Sequence, residues 1–183
     1  MQADSDFVLV YEGELKASSN SSRRKNEKET IRKQLSPQIE KLWGGYPYSE
    51  LKVGANRDEY PVVKNIGESQ YVPLVTERSG LVVKLSIQIL RDEQDARLID
   101  GGDIDNRLKT LIDGLRAPSS ESEVPKSDSK ATTFTLLEDD KSIVSINLDT
   151  ARNLRNTSRH GVLALLGVSI ITIHPPVGRI RIL

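Results

Sequence analysis

Residues 103–115 show the clearest pattern of hydrophobic and polar positions in the chain. Apolar side chains recur there at intervals of three and four residues, and at about 100° per residue they cover roughly a third of a helix circumference. They are Ile104, Leu108, Leu111, Ile112 and Leu115. Polar residues occupy a neighbouring face. The pattern therefore predicts a helix that packs on a core along one side and carries polar chemistry on another.

Alternating patterns predict strands elsewhere in the chain. Residues 81–91 alternate apolar with polar side chains, and residues 7–11 are rich in β-branched and aromatic types. Both patterns are typical of strands. Along residues 144–148 the apolar side chains share one face, as they do in an extended chain. The apolar pattern near the end of the sequence predicts one or two buried strands, at residues 168–173 and 179–183.

A second helix is predicted ahead of the glycine pair at positions 44 and 45. Its apolar residues share one face and are Ile31, Leu35, Ile39 and Leu42. Pro37 has no amide hydrogen and its ring crowds the preceding turn, so we expect the helix to break or kink there, with Ser36 as a fresh cap. Residues 46–75 hold three prolines among short apolar pieces. We expect a loop there with one or two short strands.

These elements predict an α+β fold, with a small mixed β-sheet of about four to six strands and two main helices packed against it. A chain of 183 residues is long enough to bury a substantial core and corresponds to one domain. We expect this domain to cover residues 1–183. Between residues 118 and 133 the composition turns to serine, glutamate, lysine and proline, which predicts a flexible insertion.

Composition narrows the functional classes. The chain has no cysteine, which excludes disulfides, a thiol nucleophile and a cysteine-based zinc site. The first six residues lack the basic and apolar regions of a signal peptide. The longest apolar stretch, residues 162–173, is too short for a membrane span. We therefore expect a cytoplasmic protein with no membrane association.

The charges are segregated along the sequence although the net charge is zero. Basic residues concentrate in residues 21–41 and 152–181, and acidic residues in 92–95 and 121–140. Such segregation allows a basic face that binds phosphates to form around an acidic site. A generally charged surface is the alternative interpretation of each cluster.

Acidic residues at the start of the predicted helix form the first part of a candidate site. Asp103 precedes the first apolar position, and Asp105 lies in the first turn. Asp103 fits an N-cap, which the helix dipole favours. Two carboxylates at this spacing can also converge on Mg²⁺, which prefers a few oxygen ligands plus water. Lys109 follows Asp105 by four residues and either forms a surface ion pair with it or serves the site.

A second acidic group lies at positions 138–140, ahead of the strand that carries residues 144–148. In an extended chain the side chains of Asp139 and Asp140 point to opposite sides, so only one of them can join a site with the first helix. Alone, three acidic residues in a row are typical of a solvated turn. Combined with residues 103–109, they can complete a two-part metal site.

The order of these elements resembles the RusA family of Holliday junction resolvases. The family pattern is a helix with Asp-x-Asp-Asn-x-x-Lys-x-x-x-Asp, followed by a Leu-x-Asp-Asp turn that enters a strand. The matching residues here are Asp103, Asp105, Asn106, Lys109 and Asp113, and then Leu137, Asp139 and Asp140. The likeness covers roughly residues 81–149.

The resemblance implies a Mg²⁺-dependent homodimer, with Mn²⁺ as an alternative ion, that cleaves branched DNA in recombination or repair. The implied metal ligands and catalytic carboxylates are Asp103, Asp105 and Asp140. Lys109 is the implied basic partner in catalysis, which steadies the negative charge that develops on the phosphate or assists the bound water. Asn106 and Asp113 are expected to orient the lysine and the loop. Asp139 is the alternative ligand.

Two other functions stay open at this point. Resolvases of this family carry a basic run just ahead of the first aspartate, whereas Asp100, Gly101 and Gly102 stand here. The metal chemistry is therefore better defined than the DNA substrate, and a non-catalytic nucleic-acid-binding module of the same fold is the main alternative. A Ca²⁺-binding loop that begins at Asp103 fits poorly, because Leu108 stands where such a loop requires glycine.

Overall fold

A computed structural model of the chain describes residues 6–15, 21–45, 48, 62–91, 103–125, 131–155 and 161–172. Within these residues the fold is α+β, with the α-helices α1 (Ser21–Gly44) and α2 (Asp103–Leu115). The strands of the described part are β1 (Phe7–Glu14), β2 (Lys64–Ile66), β3 (Ser69–Val75), β4 (Leu81–Arg91), β5 (Thr132–Leu137), β6 (Ile143–Arg152) and β7 (Gly161–Thr172).

The described strands form two mixed sheets rather than the single sheet that the sequence predicts. The first has the order β1-β7-β4-β6, in which β7 is antiparallel to both of its neighbours and β4 is parallel to β6. The second has the order β2-β3-β5, with β2 antiparallel to β3 and β3 parallel to β5. Each sheet therefore combines parallel and antiparallel pairs.

Two neighbouring 3₁₀ turns divide the strands between the sheets. One turn (Glu77–Ser79) joins β3 to β4, and the other (Asp140–Ser142) joins β5 to β6. The chain segments at these turns are hydrogen-bonded to each other. The amide of Glu138 donates to the carbonyl of Val75 over 2.8 Å, and the amide of Glu77 donates to the carboxylate of Glu138 over 3.2 Å. The parallel strands β3 and β5 thus end side by side, and each continues through its turn into the other sheet. The acidic turn therefore lies where the two sheets meet.

Both helices contribute to one buried core. α1 packs on α2, β5 and β1, and side chains from both helices and both sheets form a single apolar cluster. Its members from the helices are Ile31, Leu35, Ile39, Trp43, Leu111 and Leu115. The other residues of the α2 stripe, Ile104, Leu108 and Ile112, are half-buried. The first turns of α2 therefore lie nearer to the surface than its last turn.

Most of the predicted elements are confirmed. Strand β4 and helix α2 span the predicted residues, and β1 begins where predicted but continues to Glu14. Strands β2 and β3 provide the short strands expected between residues 46 and 75. β7 covers most of the predicted strand at residues 168–173. The strand predicted at residues 179–183 lies outside the described residues.

Pro37 does not break α1, so of the break or kink that the sequence predicts, the break does not occur. The helix runs from Ser21 to Gly44 with the proline inside it. The hydroxyl oxygen of Ser36 accepts a hydrogen bond of 2.8 Å from the amide of Phe134 on β5 instead of capping a new helix. Apolar side chains on both sides of the proline enter the same core cluster. Tertiary packing therefore compensates for the hydrogen bond that proline removes.

Side chains of α1 close the outer edge of β1. Gln38 donates to the carbonyl of Val10 over 2.7 Å and accepts from its amide over 2.9 Å. One turn earlier, Gln34 donates to the carbonyl of Glu12 over 3.0 Å and accepts from its amide over 2.9 Å. These bonds satisfy edge groups of β1 without another strand, which protects this edge of the sheet from pairing with a further chain.

The segment predicted as a flexible insertion, residues 118–133, is partly built into the fold. It contains a 3₁₀ turn (Glu121–Glu123), which Arg116 holds through an ion pair of 3.0 Å with Glu123. The last two residues of the segment belong to β5. The part between residues 126 and 130 lies outside the described residues.

Gly114 of α2 permits a close approach to α1. A Cβ atom at this position would lie 2.6 Å from Cγ2 of Ile31 and 2.7 Å from its Cβ. We expect Gly114→Ala to lower the free energy of unfolding by about 1–3 kcal/mol through overpacking, although alanine favours a helix by about 1 kcal/mol. Urea denaturation measures the change. Gly44→Ala is the matched control, because a Cβ there would meet no atom within 4 Å, and a fully stable Gly114→Ala protein would contradict the close packing.

Candidate active site

The exposed part of α2 carries three residues of the predicted motif. Asp105 and Asn106 are exposed in its first turn, and Lys109 is exposed one turn later. Asp103 is the first residue of the helix rather than the cap residue just before it, and its side chain lies outside the described part of the structure. Because residues four apart lie above one another on a helix, Asp105 and Lys109 share one flank of α2.

Asp105 and Lys109 do not form the surface ion pair that their spacing allows. Within the described ranges, neither side chain makes a hydrogen bond or an ion pair. The interpretation of Asp105 and Lys109 as an ion pair that only stabilises the helix therefore does not hold. Both the carboxylate and the ammonium group are accessible to a ligand.

Asp113 pairs with cations other than Lys109. One oxygen of its buried carboxylate is 2.6 Å from the ammonium of Lys28 on α1, and the other is 3.3 Å from Nε of Arg116. The sequence predicts that Asp113 orients Lys109, whereas both of its oxygens are engaged by these other cations. Asp113 therefore ties α2 to α1 and to the residue that follows α2.

A buried arginine of α1 closes the C-terminal end of α2. Arg32 is 1% exposed, and it donates to the carbonyls of Asp113 over 2.9 Å and Arg116 over 3.0 Å. Its Nη1 atom also lies 3.4 Å from the carboxylate of Glu29. Burial lowers the pKa of the Arg32 guanidinium, and the charge of Glu29 opposes this shift. A cation at the negative end of the helix dipole thus fixes the position of α2 against α1.

The acidic group at positions 138–140 leads into a 3₁₀ turn; Asp139 is still extended, and the turn begins at Asp140. Asp139 caps the 3₁₀ turn (Asp140–Ser142), because its carboxylate accepts a hydrogen bond of 3.0 Å from the amide of Lys141. This bond holds the pKa of the Asp139 carboxyl below its ordinary value, and a hydrogen bond with the Asp140 side chain adds to the shift. The extended backbone on which the predicted alternation rests therefore ends at Asp139. Asp139 is engaged in its own turn, while Asp140 is exposed.

Asp140 lies beside α2 in a cleft of about 420 Å³, which we name the β6 cleft. Its lining residues are Ile112, Asp140, Ile143, Val144, Ser145 and Ile146. Ile112 follows Asp105 by seven residues, so the two lie on the same flank of α2, about 10 Å apart along the helix axis. The structure therefore brings Asp140 to the flank of α2 that carries Asp105 and Lys109.

The predicted set of metal ligands extends beyond the described side chains. Among the side chains that are described, no group of three acidic or histidine residues is close enough to hold a metal ion. Asp105 and Asp140 are both described and exposed, whereas the third predicted ligand, Asp103, has its side chain outside this description. Carboxylate oxygens are ligands that Mg²⁺ prefers, so the donor chemistry of the set fits this ion.

A second and smaller cleft lies between the two helices, and we name it the α1–α2 cleft. Its volume is about 130 Å³. Its lining residues are Arg24, Lys28, Asn106, Lys109, Thr110 and Asp113. The basic segment at residues 21–41 thus contributes two cations beside Lys109. The sequence by itself does not determine whether this segment shares a surface with the acidic helix.

Three basic residues near the site are not singled out by the sequence pattern. Arg24, Lys28 and Arg32 are part of a segment with many other charges, and composition does not distinguish them. Their spacing is the one signal that could have found them, because residues that recur every four positions form a stripe along one side of a helix. This stripe of α1 faces α2, as the contacts of Lys28 and Arg32 with Asp113 demonstrate.

Comparison with known proteins finds no match: no protein-family model, no curated protein and no solved structure is detectably similar to this chain. Its class is that of an α+β protein in which two helices pack with mixed sheets. None of the helices in the described ranges is long and apolar enough to cross a membrane.

Proposed function

We propose that this chain is a Mg²⁺-dependent endonuclease that cleaves branched DNA, such as Holliday junctions, in recombination or repair. One observation carries the proposal: Asp140 lies beside the flank of α2 on which Asp105 and Lys109 are exposed. The two halves of the acidic pattern are distant in the sequence, and Asp140 shares its cleft with Ile112, which lies on the same flank as Asp105 about 10 Å further along the helix axis. The resemblance to the RusA family supports the same function and suggests that the enzyme acts as a homodimer.

The carboxylates that would hold the metal ion are Asp103, Asp105 and Asp140. Mg²⁺ there would polarise the scissile phosphate and lower the pKa of a bound water, and Mn²⁺ would be the alternative ion. Asp105 suits this role because no other described residue engages its oxygens. Asp140 is preferred to Asp139, since Asp140 is exposed and lines the β6 cleft, whereas the Asp139 carboxylate accepts from the amide of Lys141.

Lys109 would place a positive charge next to the scissile phosphate. Its ammonium can donate to phosphate oxygens as negative charge develops on them during hydrolysis. The acidic residue one turn further along α2, Asp113, does not neutralise it, because Lys28 and Arg116 engage both carboxylate oxygens of Asp113. The lysine charge is therefore available to a substrate.

Cleavage assays on defined DNA substrates test the proposed function. Branched, duplex and single-stranded DNA are each incubated with the protein in Mg²⁺ or in EDTA, and the products are separated on denaturing gels. We expect cleavage of branched DNA in Mg²⁺, none in EDTA, and full recovery when excess Mg²⁺ is restored. Cleavage that persists in EDTA would contradict the proposal, as would intact DNA in both Mg²⁺ and Mn²⁺.

A non-catalytic nucleic-acid-binding module is the second candidate. The α1–α2 cleft favours it, because three basic residues line this cleft whether or not a metal ion is present. Such a module would bind DNA equally in EDTA and in Mg²⁺ and would leave it uncut. Its affinity would fall steeply as the salt concentration rises, so an affinity that is independent of salt would argue against it.

A further inference from the structure

The α1–α2 cleft has the composition of an anion-binding site. α1 contributes Arg24 and Lys28, which lie one turn apart, and α2 contributes Lys109 from the opposite wall. The remaining lining residues are polar and are Asn106, Thr110 and Asp113. With a volume of about 130 Å³, the cleft has room for several waters or for one oxyanion.

The single acidic residue of the cleft does not cancel its positive charge. Asp113 is paired with Lys28 at 2.6 Å and with Arg116 at 3.3 Å, so each carboxylate oxygen already faces a cation. An ammonium group has three donors, and Asp113 uses one of those of Lys28. Lys109 has no ion-pair partner among the described residues. Among the residues that line the cleft, three are basic and one is acidic, and a cleft focuses the potential of its lining charges more strongly than an open surface does.

The donors that line the cleft suit a phosphate group. An arginine offers a planar fork of N–H donors and a lysine a compact charge, and both are common ligands of phosphate oxygens. Lys109 connects the cleft to the candidate active site, because it also shares a flank of α2 with Asp105, one turn or about 5.4 Å away along the axis. A phosphate in the cleft would therefore lie next to the phosphate that the acidic residues act on.

We propose that the α1–α2 cleft binds one backbone phosphate of the nucleic-acid strand, adjacent to the phosphate that is cleaved. This inference rests on the proposed function for the identity of the ligand, whereas the affinity of the cleft for phosphate does not depend on cleavage. Arg24 and Lys28 position the strand so that the neighbouring phosphate reaches Asp105. They are positioning residues and take no part in the chemical step.

Arg24→Gln tests the proposal, with Lys33→Gln as the matched control. Both residues are exposed on α1, and Lys33 does not line the cleft. In EDTA, we expect Arg24→Gln to weaken the binding of branched DNA about fivefold, the upper range for one exposed ion pair. The slope of log affinity against log salt concentration should become less steep by about one. Lys33→Gln should bind as the wild type does, and Arg24→Lys should restore most of the affinity.

Inorganic phosphate provides the second measurement. The thermal midpoint of the full chain is compared in sodium phosphate and in sodium chloride of equal ionic strength. We expect phosphate to raise the midpoint of the wild type and of Lys33→Gln, but not that of Arg24→Gln. The midpoint of Arg24→Gln in chloride shows whether the variant is folded, and Arg24→Met, which also removes the charge but keeps an apolar stem, replaces it in both measurements if it is not.

The two measurements separate failure of this inference from failure of the proposed function. DNA binding and phosphate stabilisation that are both unchanged in Arg24→Gln would overturn the inference and leave the nuclease proposal standing. Phosphate stabilisation through Arg24 in a protein that binds no DNA would identify a site for free phosphate. That result would overturn both the proposal that the cleft binds a nucleic-acid strand and the proposed function.

Discussion

Replacing Asp105 with asparagine is expected to lower the rate of Mg²⁺-dependent DNA cleavage by at least about 100-fold, since even outer-shell partners of metal ligands contribute 10- to 100-fold. The physical reason is the loss of one negative charge and one strong oxygen ligand at nearly constant side-chain shape. The carboxylate makes no hydrogen bond or ion pair with another described residue. The substitution should therefore leave the thermal midpoint in chloride close to that of the wild type.

Single-turnover cleavage of branched DNA in Mg²⁺ measures this effect. Glu40→Gln is the control, because Glu40 is an exposed acidic residue near the end of α1, away from the residues that line either cleft. We expect Glu40→Gln to cleave at the wild-type rate. Undiminished cleavage by Asp105→Asn would remove Asp105 from the metal site and, with it, the main argument for catalysis on α2.

Replacing Arg32 with methionine is expected to lower the free energy of unfolding by about 3–5 kcal/mol. The substitution leaves the carbonyls of Asp113 and Arg116 in the protein interior without their donor. It also removes the cation beside Glu29. Because a typical domain is stable by about 5–15 kcal/mol, this single change would take away a large fraction of the total.

Urea denaturation with Lys33→Met as the control measures the effect of Arg32→Met. Lys33 is the next residue on α1 and is exposed, so its substitution should change stability by no more than about 0.5 kcal/mol. A loss below about 1 kcal/mol in Arg32→Met would mean that the end of α2 is not held by this arginine. Arg32→Lys should recover only part of the stability, because lysine lacks the planar fork that reaches both carbonyls.

The elements that the sequence predicted well are those whose signal is local. The stripe of α2 and the alternation of β4 both follow from side-chain directions along a single element, and both have the predicted bounds. The same reasoning applies to Asp105 and Lys109, because their shared flank depends only on the pitch of a helix. The spacing that placed them together needed no knowledge of the rest of the fold.

The predictions that failed concern contacts between distant parts of the chain. Local sterics favour a break at Pro37, but α1 continues because β5 and the core hold both of its halves. The strand predicted from the alternation along residues 144–148 is present as β6, while the fold leaves Val144 and Ile146 53% and 42% exposed. They belong to an edge strand that pairs only with β4 among the described strands. Alternation defines two faces of a strand but does not decide which face is covered.

The sequence by itself determined the α+β composition, the amphipathic α2 helix and the spacing of Asp105 and Lys109 on it. The tertiary structure alone decided that Asp140, rather than Asp139, is exposed beside that helix, and that Arg24 and Lys28 join Lys109 in one cleft. The reason is physical: spacing within one helix follows from backbone geometry. The meeting of side chains from α1, α2 and the acidic turn depends on how these elements pack around a common core.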